Sequence, residues 1–92
     1  MKTEKIRKHI IFHGRVQGVG FRYFATYKAR QLGLTGWVRN RYDGTVEMEV
    51  QGTETDIREL IAFMNSQRWI LIEDMETEPM DVIQESDFDE KW

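Results

Sequence analysis

The sequence predicts an α+β fold in which two helices pack on one face of an antiparallel sheet of four to five strands. Apolar and polar residues alternate in 45–51, as in a half-buried strand, and less regularly in 6–13. Apolar residues recur every three or four positions in 21–32 and 57–64, as on one face of a helix. The resulting order, βαββαβ, is typical of a ferredoxin-like sandwich. We expect residues 1–92 to form a single domain, because that length matches one core.

Both predicted helices carry recognisable end signals. Gly33 follows the apolar stripe of residues 21–32 and predicts the end of the first helix, since glycine readily adopts the left-handed conformation that closes helices. Thr53, three residues before Asp56, predicts the start of the second helix as an approximate capping box. The second apolar stripe ends near Asn65–Ser66.

A β-hairpin is predicted at Asp43–Gly44, because this dipeptide is a strong signal for a tight turn. Residues 36–42 would form the strand before the turn and residues 45–51 the strand after it. Strict alternation in the latter predicts three buried apolar side chains and two carboxylates, Glu47 and Glu49, that face water.

The C-terminal third gives weaker signals. Residues 69–72 (WILI) predict a short buried strand. Residues 73–86 are acidic, contain the only proline, Pro79, and predict no single element. Residues 88–92 alternate enough to predict a final edge strand, the fifth of the sheet.

Charge is distributed unevenly along the chain. The formal net charge is -3, yet residues 1–46 hold ten Lys/Arg and two Asp/Glu, whereas residues 47–92 hold three Lys/Arg and fourteen Asp/Glu. The basic half could attract a small anion, or the two halves could neutralise each other across the fold. The acidic total argues against DNA or RNA as a partner, since binding to a phosphate backbone requires a basic face.

Several classes of site are disfavoured by composition. The chain has no cysteine, which excludes disulfides and thiolate chemistry. His9 and His13, the only histidines, have no third ligand type nearby, so a solvated strand explains them better than a metal site. The charged N-terminus leads to no long apolar run, so we expect no signal peptide or membrane span and a cytoplasmic location.

Residues 14–22 (GRVQGVGFR) have the features of an anion-binding loop. Three glycines allow tight turns and bring backbone N–H groups close to a ligand. The helix that starts near Phe21 adds unpaired N–H groups and the positive end of its dipole. Arg22 adds a planar guanidinium that can bind two phosphate oxygens at once. The loop is neither a P-loop, which requires Gly-Lys before Ser or Thr, nor a dinucleotide fingerprint, whose third glycine would fall at Tyr23.

Asn40 is the best polar partner for this loop. It shares a strand face with Val38, so if Val38 is buried, Asn40 lies on the helix-covered side near the strand end. Its carboxamide could hold a water molecule in line with a bound phosphorus atom. Spacing alone does not distinguish this role from that of a turn residue before the hairpin.

Residues 14–22, 36–40 (GWVRN), 43–47 (DGTVE) and 51–52 (QG) together resemble the signature of the acylphosphatases. The match is continuous over roughly residues 10–64 and is far more specific than a glycine motif alone.

This resemblance implies a ferredoxin-like fold and an enzyme that hydrolyses the carboxyl-phosphate anhydride of acyl phosphates. It implies that Arg22 binds phosphate and that Asn40 positions the hydrolytic water, both as catalytic residues. It also implies a phosphate-binding loop whose backbone N–H groups belong to Val16, Gln17, Gly18, Val19, Gly20 and Phe21.

The expected partners are a small-molecule acyl phosphate and inorganic phosphate as product, with no cofactor, metal, nucleic acid or membrane. We expect a monomer. The alternative is a non-catalytic module on the same fold that recognises a phosphate or acyl phosphate, or that mediates protein contacts.

Overall fold

The computed structural model describes residues 4–92. This part of the chain forms five strands and two helices. In chain order they are β1 (Lys5–Arg15), α1 (Phe21–Leu32), β2 (Thr35–Asn40), β3 (Val46–Thr53), α2 (Glu54–Asn65), β4 (Leu71–Met80) and β5 (Phe88–Lys91).

The strands form one sheet in the order β4-β1-β3-β2-β5. The four strands from β4 to β2 pair antiparallel, as predicted, and the ferredoxin-like class is confirmed. β5 differs because it pairs with β2 in parallel, so the sheet is mixed. As a result, the carboxyl end of β5 lies beside the carboxyl end of β2.

Both helices cover one face of the sheet and enclose the apolar core. The helices contribute Phe21, Ala25, Ala29, Ile57, Leu60 and Met64, and the strands contribute Ile10, Phe12, Val38, Val46, Met48, Val50 and Phe88. The three apolar residues of β3 are fully buried, as their alternation predicts. Within residues 4–92, neither helix is long and apolar enough to cross a membrane.

The helix ends match their sequence signals. Gly33 is left-handed (φ 75°), and the N–H of Leu34 donates to the carbonyl of Ala29 at 2.8 Å, which satisfies a carbonyl that the helix leaves open. At the start of α2, the hydroxyl of Thr53 accepts a hydrogen bond from the N–H of Asp56 at 3.2 Å.

The hairpin between β2 and β3 forms at the predicted turn. The N–H of Arg41 donates to the carbonyl of Thr45 at 2.9 Å, and the N–H of Gly44 donates to the carbonyl of Arg41 at 3.2 Å. β2 ends at Asn40, two residues earlier than the sequence suggests, because residues 41–45 form the turn.

The prediction that Glu47 and Glu49 face water is wrong. They lie on the helix-free face of the sheet but are half-buried there, because basic side chains of β1 cover them. The guanidinium of Arg7 pairs with Glu49 at 2.8 Å, and the imidazole of His9 contacts Glu47 at 2.7 Å.

The predicted short buried strand at 69–72 is also wrong. Trp69 and Leu71 are 60% and 51% exposed, and β4 starts at Leu71 and continues through the acidic residues to Met80. Thus residues 73–80, for which the sequence predicts no element, form an edge strand. Pairing with β1 on one side holds this strand in place, with a register shift at His13/Gly14.

Residues 81–87, here called the strap, cross the helix-free face from β4 at one edge to β5 at the other. Arg7, which is 1% exposed, donates to Glu85 at 2.7 Å and to Gln51 at 3.1 Å. The amide of Gln51 donates to the carbonyl of Ile83 at 2.8 Å and accepts from its N–H at 3.0 Å. These contacts support the view that the basic and acidic halves neutralise each other.

Candidate active site

The sheet topology brings the glycine-rich loop to Asn40. β1 leads into the loop after Arg15, and β1 and β2 flank β3. In the sheet register, Val46 at the start of β3 lies opposite both Phe12 near the end of β1 and Asn40 at the end of β2. The loop that follows β1 therefore begins at the same end of the sheet as Asn40.

The glycine-rich loop has a left-handed backbone geometry and N–H groups that no carbonyl of the described residues engages. Gly18 and Gly20 have φ of 72° and 80°, in the left-handed region that other residues rarely adopt. No carbonyl of the described residues accepts a hydrogen bond from the N–H groups of residues 17–21. α1 starts at Phe21 with no acidic residue in its first turn, so its N-terminus is not neutralised. These features suit an anion.

The side chain of Gln17 fixes the loop to the β2–β3 hairpin. Its amide nitrogen donates to the carbonyl of Arg41 at 2.5 Å and to the carbonyl of Thr45 at 2.8 Å. The hairpin itself is held by Asp43, whose carboxylate accepts from the hydroxyl and N–H of Thr45 at 2.6 and 3.0 Å. These bonds lower the pKa of Asp43. The loop is thereby held against the segment that follows Asn40.

Arg22 projects from the first turn of α1 and is held by the C-terminal residues. Its Nη1 donates to the carbonyl of Lys91 at 3.1 Å. Its Cζ lies 3.7 Å from the centroid of the Trp92 ring, a cation–π contact. A guanidinium has five N–H donors, so most remain available to an oxyanion.

Arg22 and Asn40 line the same cavity, which has a volume of about 220 Å³. Its wall is formed by Val16, Gly18, Gly20, Phe21, Arg22, Tyr23, Asn40, Glu90 and Trp92. The structure thus brings together six of the eight residues predicted from the sequence. Gln17 makes the hairpin contacts instead, and Val19 packs against the core.

Sequence reasoning missed three residues of this cavity: Tyr23, Glu90 and Trp92. The last two belong to the C-terminal strand and its end, which reach the site because β5 runs parallel to β2, with Lys91 opposite Arg39. If the predicted fifth strand had been paired in parallel with the second strand, its last residues would have been predicted to lie at the site.

Ion pairs surround the strand that carries Asn40. Arg39 donates to Glu47 at 2.6 Å on the helix-free face. Burial raises the pKa of Glu47, but the hydrogen bonds from His9 and Arg39 outweigh it, and the net pKa is lowered. The carboxylate therefore stays ionised and holds β1, β2 and β3 together behind the site.

The arrangement suits phosphoryl chemistry. A guanidinium and a set of N–H groups can bind a phosphoryl dianion and stabilise the charge of its transition state. A carboxamide at the cavity wall can both donate to and accept from a water molecule. Among residues 4–92, no group of three or more His, Cys, Asp or Glu side chains has a metal-binding arrangement.

Comparison with known proteins agrees with this geometry. The profile of the Acylphosphatase family matches residues 8–90. An acylphosphatase of Bifidobacterium longum is 44% identical over 82 residues, which cover 88% of this chain and 84% of that protein. One of Geobacillus kaustophilus is 62% identical over 52 residues, 56% of this chain and 55% of that protein.

A solved structure is also similar over nearly the whole chain. The crystal structure of acylphosphatase from Bacillus subtilis superposes with a TM-score of 0.85 at 34% sequence identity. The superposition covers 95% of this chain and 99% of that chain. With its fold, its loop and its sequence in agreement, the chain belongs to the acylphosphatase family of enzymes, which hydrolyse acyl phosphates.

Proposed function

We propose that Arg22 and the loop N–H groups bind the phosphoryl group of an acyl phosphate and that Asn40 positions the water that attacks it. The observation that carries this proposal is the shared cavity, which Arg22, both left-handed glycines and Asn40 line together. The products are a carboxylate and inorganic phosphate.

The proposed reaction needs few catalytic groups. The water oxygen forms a bond to phosphorus as the bond from phosphorus to the acyl oxygen breaks, and the electron pair leaves with the carboxylate. Because a carboxylate is a weak base, it departs without a general acid. Two tasks remain. Asn40 aligns the water, and Arg22 and the loop dipoles stabilise the charge without a metal.

Two variants with matched controls test these roles, with benzoyl phosphate as substrate. Arg22→Ala should lose phosphate binding and lower kcat/KM by about 10³-fold or more. Asn40→Ala should keep phosphate binding and lower kcat by about 10²-fold to 10³-fold. Arg68→Ala and Asn65→Ala, at exposed positions outside the cavity, should keep near-normal rates. A near-normal rate for Asn40→Ala would overturn the water-positioning role.

Binding can be measured apart from turnover. Inorganic phosphate should raise the Tm of the native chain and of Asn40→Ala, but not of Arg22→Ala, because a ligand selective for the folded state stabilises it by mass action. Activity should persist in excess chelator. A Tm response without hydrolysis would instead identify a non-catalytic anion receptor.

We further propose that residues 1–92 act as one acylphosphatase-like domain, as a cytoplasmic monomer that does not bind nucleic acid. Strands from both ends of the described chain share the sheet, and the net charge of -3 disfavours a polyanion. Light scattering should give a mass near 11.0 kDa, and a dimer mass at micromolar concentration would contradict the proposal.

A further inference from the structure

Glu90 contributes a carboxylate to the wall of a cavity that is otherwise suited to anions. The same cavity, of about 220 Å³, is lined by Arg22 and by the left-handed Gly18 and Gly20. Like charges at close range repel, so a carboxylate weakens the binding of any anion that gives it no hydrogen bond. A carboxylate in this wall is therefore unfavourable for an oxyanion that carries no proton.

The position of Glu90 follows from the pairing of β5 with β2. Glu90 lies opposite Val38, and Phe88 lies opposite Gly36. Because side chains alternate along a strand, Glu90 shares its face with Phe88, which is fully buried in the core. Glu90 therefore lies on the helix-covered face of the sheet, where it is half-buried at the cavity.

The arginines of α1 do not neutralise this carboxylate. Arg22 donates to the carbonyl of Lys91 at 3.1 Å, and Arg30 pairs with Asp87 at 3.3 Å. Within the described part of the chain, no ion pair or side-chain hydrogen bond involves Glu90. Its oxygens therefore remain available to accept hydrogen bonds from a ligand.

A carboxylate distinguishes oxyanions by the protons that they carry. An ionised carboxylate has acceptors only, so it binds an O–H group and repels an oxygen that has no hydrogen. At neutral pH every inorganic phosphate ion keeps at least one O–H group, whereas sulfate has none. Arg22 and backbone N–H groups alone would not favour phosphate, because sulfate offers them acceptor oxygens and the full double charge. A preference for phosphate would therefore come from Glu90.

We propose that Glu90 is a specificity-determining residue that makes the cavity select protonated oxyanions, and therefore phosphate over sulfate. The inference rests on the proposed function, because it takes Arg22 and the loop as the anion site. It also fits the proposed reaction. Attack of water on an acyl phosphate dianion yields a carboxylate and a phosphate monoanion that carries both hydrogens of the water. Glu90 accepts a hydrogen bond from this phosphate, so the cavity favours the protonated state that the attack creates.

The test measures the Kd for phosphate and for sulfate at pH 7 and constant ionic strength, from the rise in Tm with anion concentration. In the native chain, the Kd for sulfate should exceed that for phosphate by about tenfold or more, as expected for a hydrogen bond to a charged group. Glu90→Gln removes the charge with little change of shape and should reduce this ratio to about threefold or less, mainly by tightening the binding of sulfate.

Asp89→Asn is the matched control. It removes the same charge one residue away, at an exposed position outside the cavity, and should keep the native ratio. Inhibition of benzoyl phosphate hydrolysis gives a second measurement. Sulfate should inhibit Glu90→Gln at lower concentration than it inhibits the native chain or Asp89→Asn.

The outcomes separate this inference from the proposed function. If the native chain hydrolyses no benzoyl phosphate, the proposed function fails, and the two Kd values still decide the role of Glu90. If the native chain binds sulfate as tightly as phosphate, or if Glu90→Gln and Asp89→Asn give equal ratios, only the role of Glu90 is overturned. A native chain whose Tm responds to neither anion would overturn both.

Discussion

Arg7 offers the strongest test of what holds the C-terminal strap on the sheet. Its guanidinium is buried among Glu49, Gln51 and Glu85, with ion-pair distances of 2.8 and 2.7 Å to the two carboxylates. Burial lowers its pKa, but the bonds to Glu85 and Glu49 outweigh this and raise it overall, so the group is charged at any working pH. Arg7→Met keeps an unbranched apolar stem and removes the charged guanidinium.

The loss of unfolding free energy expected for Arg7→Met follows from the burial of Glu49 and Glu85. Removing one member of a buried ion pair costs about 3–5 kcal/mol, because the other charge stays behind unpaired. The side chains of Glu49 and Glu85 are 19% and 20% exposed and can regain some hydration, which places the loss near the lower limit, at about 3 kcal/mol. For a domain of this size that equals a fall in Tm of about 12–24 °C.

Urea denaturation followed by circular dichroism measures this difference. Arg58→Met is the matched control, since Arg58 pairs with Glu54 on an exposed helix surface and should contribute less than about 0.5 kcal/mol. A double-mutant cycle of Arg7→Met with Glu85→Gln should give a coupling energy above about 1 kcal/mol. If Arg7→Met and Arg58→Met unfold at the same urea concentration, the strap is not held by this cluster.

Two further predictions concern the elements behind and beside the site. The lowered pKa of Glu47 contributes stability that is present above the unfolded pKa near 4.3 and lost as the pH falls through the folded value. Urea midpoints should therefore separate Glu47→Gln from the native chain at pH 7, and the difference should shrink as the pH falls below the unfolded pKa. A difference that does not shrink would refute the assignment. Gln17→Ala should raise KM for benzoyl phosphate several-fold, with about 1 kcal/mol of lost stability, because two bonds between loop and hairpin disappear. Gln67→Ala, in the turn after α2, should leave KM unchanged.

Elements with a clear period and end signals could be predicted from the sequence. The apolar stripe of α1 and the alternation of β3 arise from contacts that repeat along the chain, and the structure confirms both. It also confirms Gly33 as the residue that ends α1. The predicted order of strands and helices also explains why Arg22 and Asn40 line one cavity, because it places the ends of β1 and β2 together.

The edge strand β4 could not be predicted in this way. Its ten residues bury almost no side chain, so no apolar period marks them, and acidic residues and proline are poor strand formers. Backbone pairing with β1, more than fifty residues away in sequence, determines its conformation. The pairing of Arg7 with Glu85 and the position of Glu90 at the cavity could not be predicted either, because these residues are also far from their partners in sequence.

The open side of β4 has a consequence for the behaviour of concentrated protein. A second copy that approached this edge to continue the sheet would align Glu73, Asp74, Glu76 and Glu78 with carboxylates of its own. Electrostatic repulsion between these carboxylates would oppose such stacking. Salt screens the repulsion between charges that are exposed to solvent, so we expect the tendency to aggregate to rise with ionic strength.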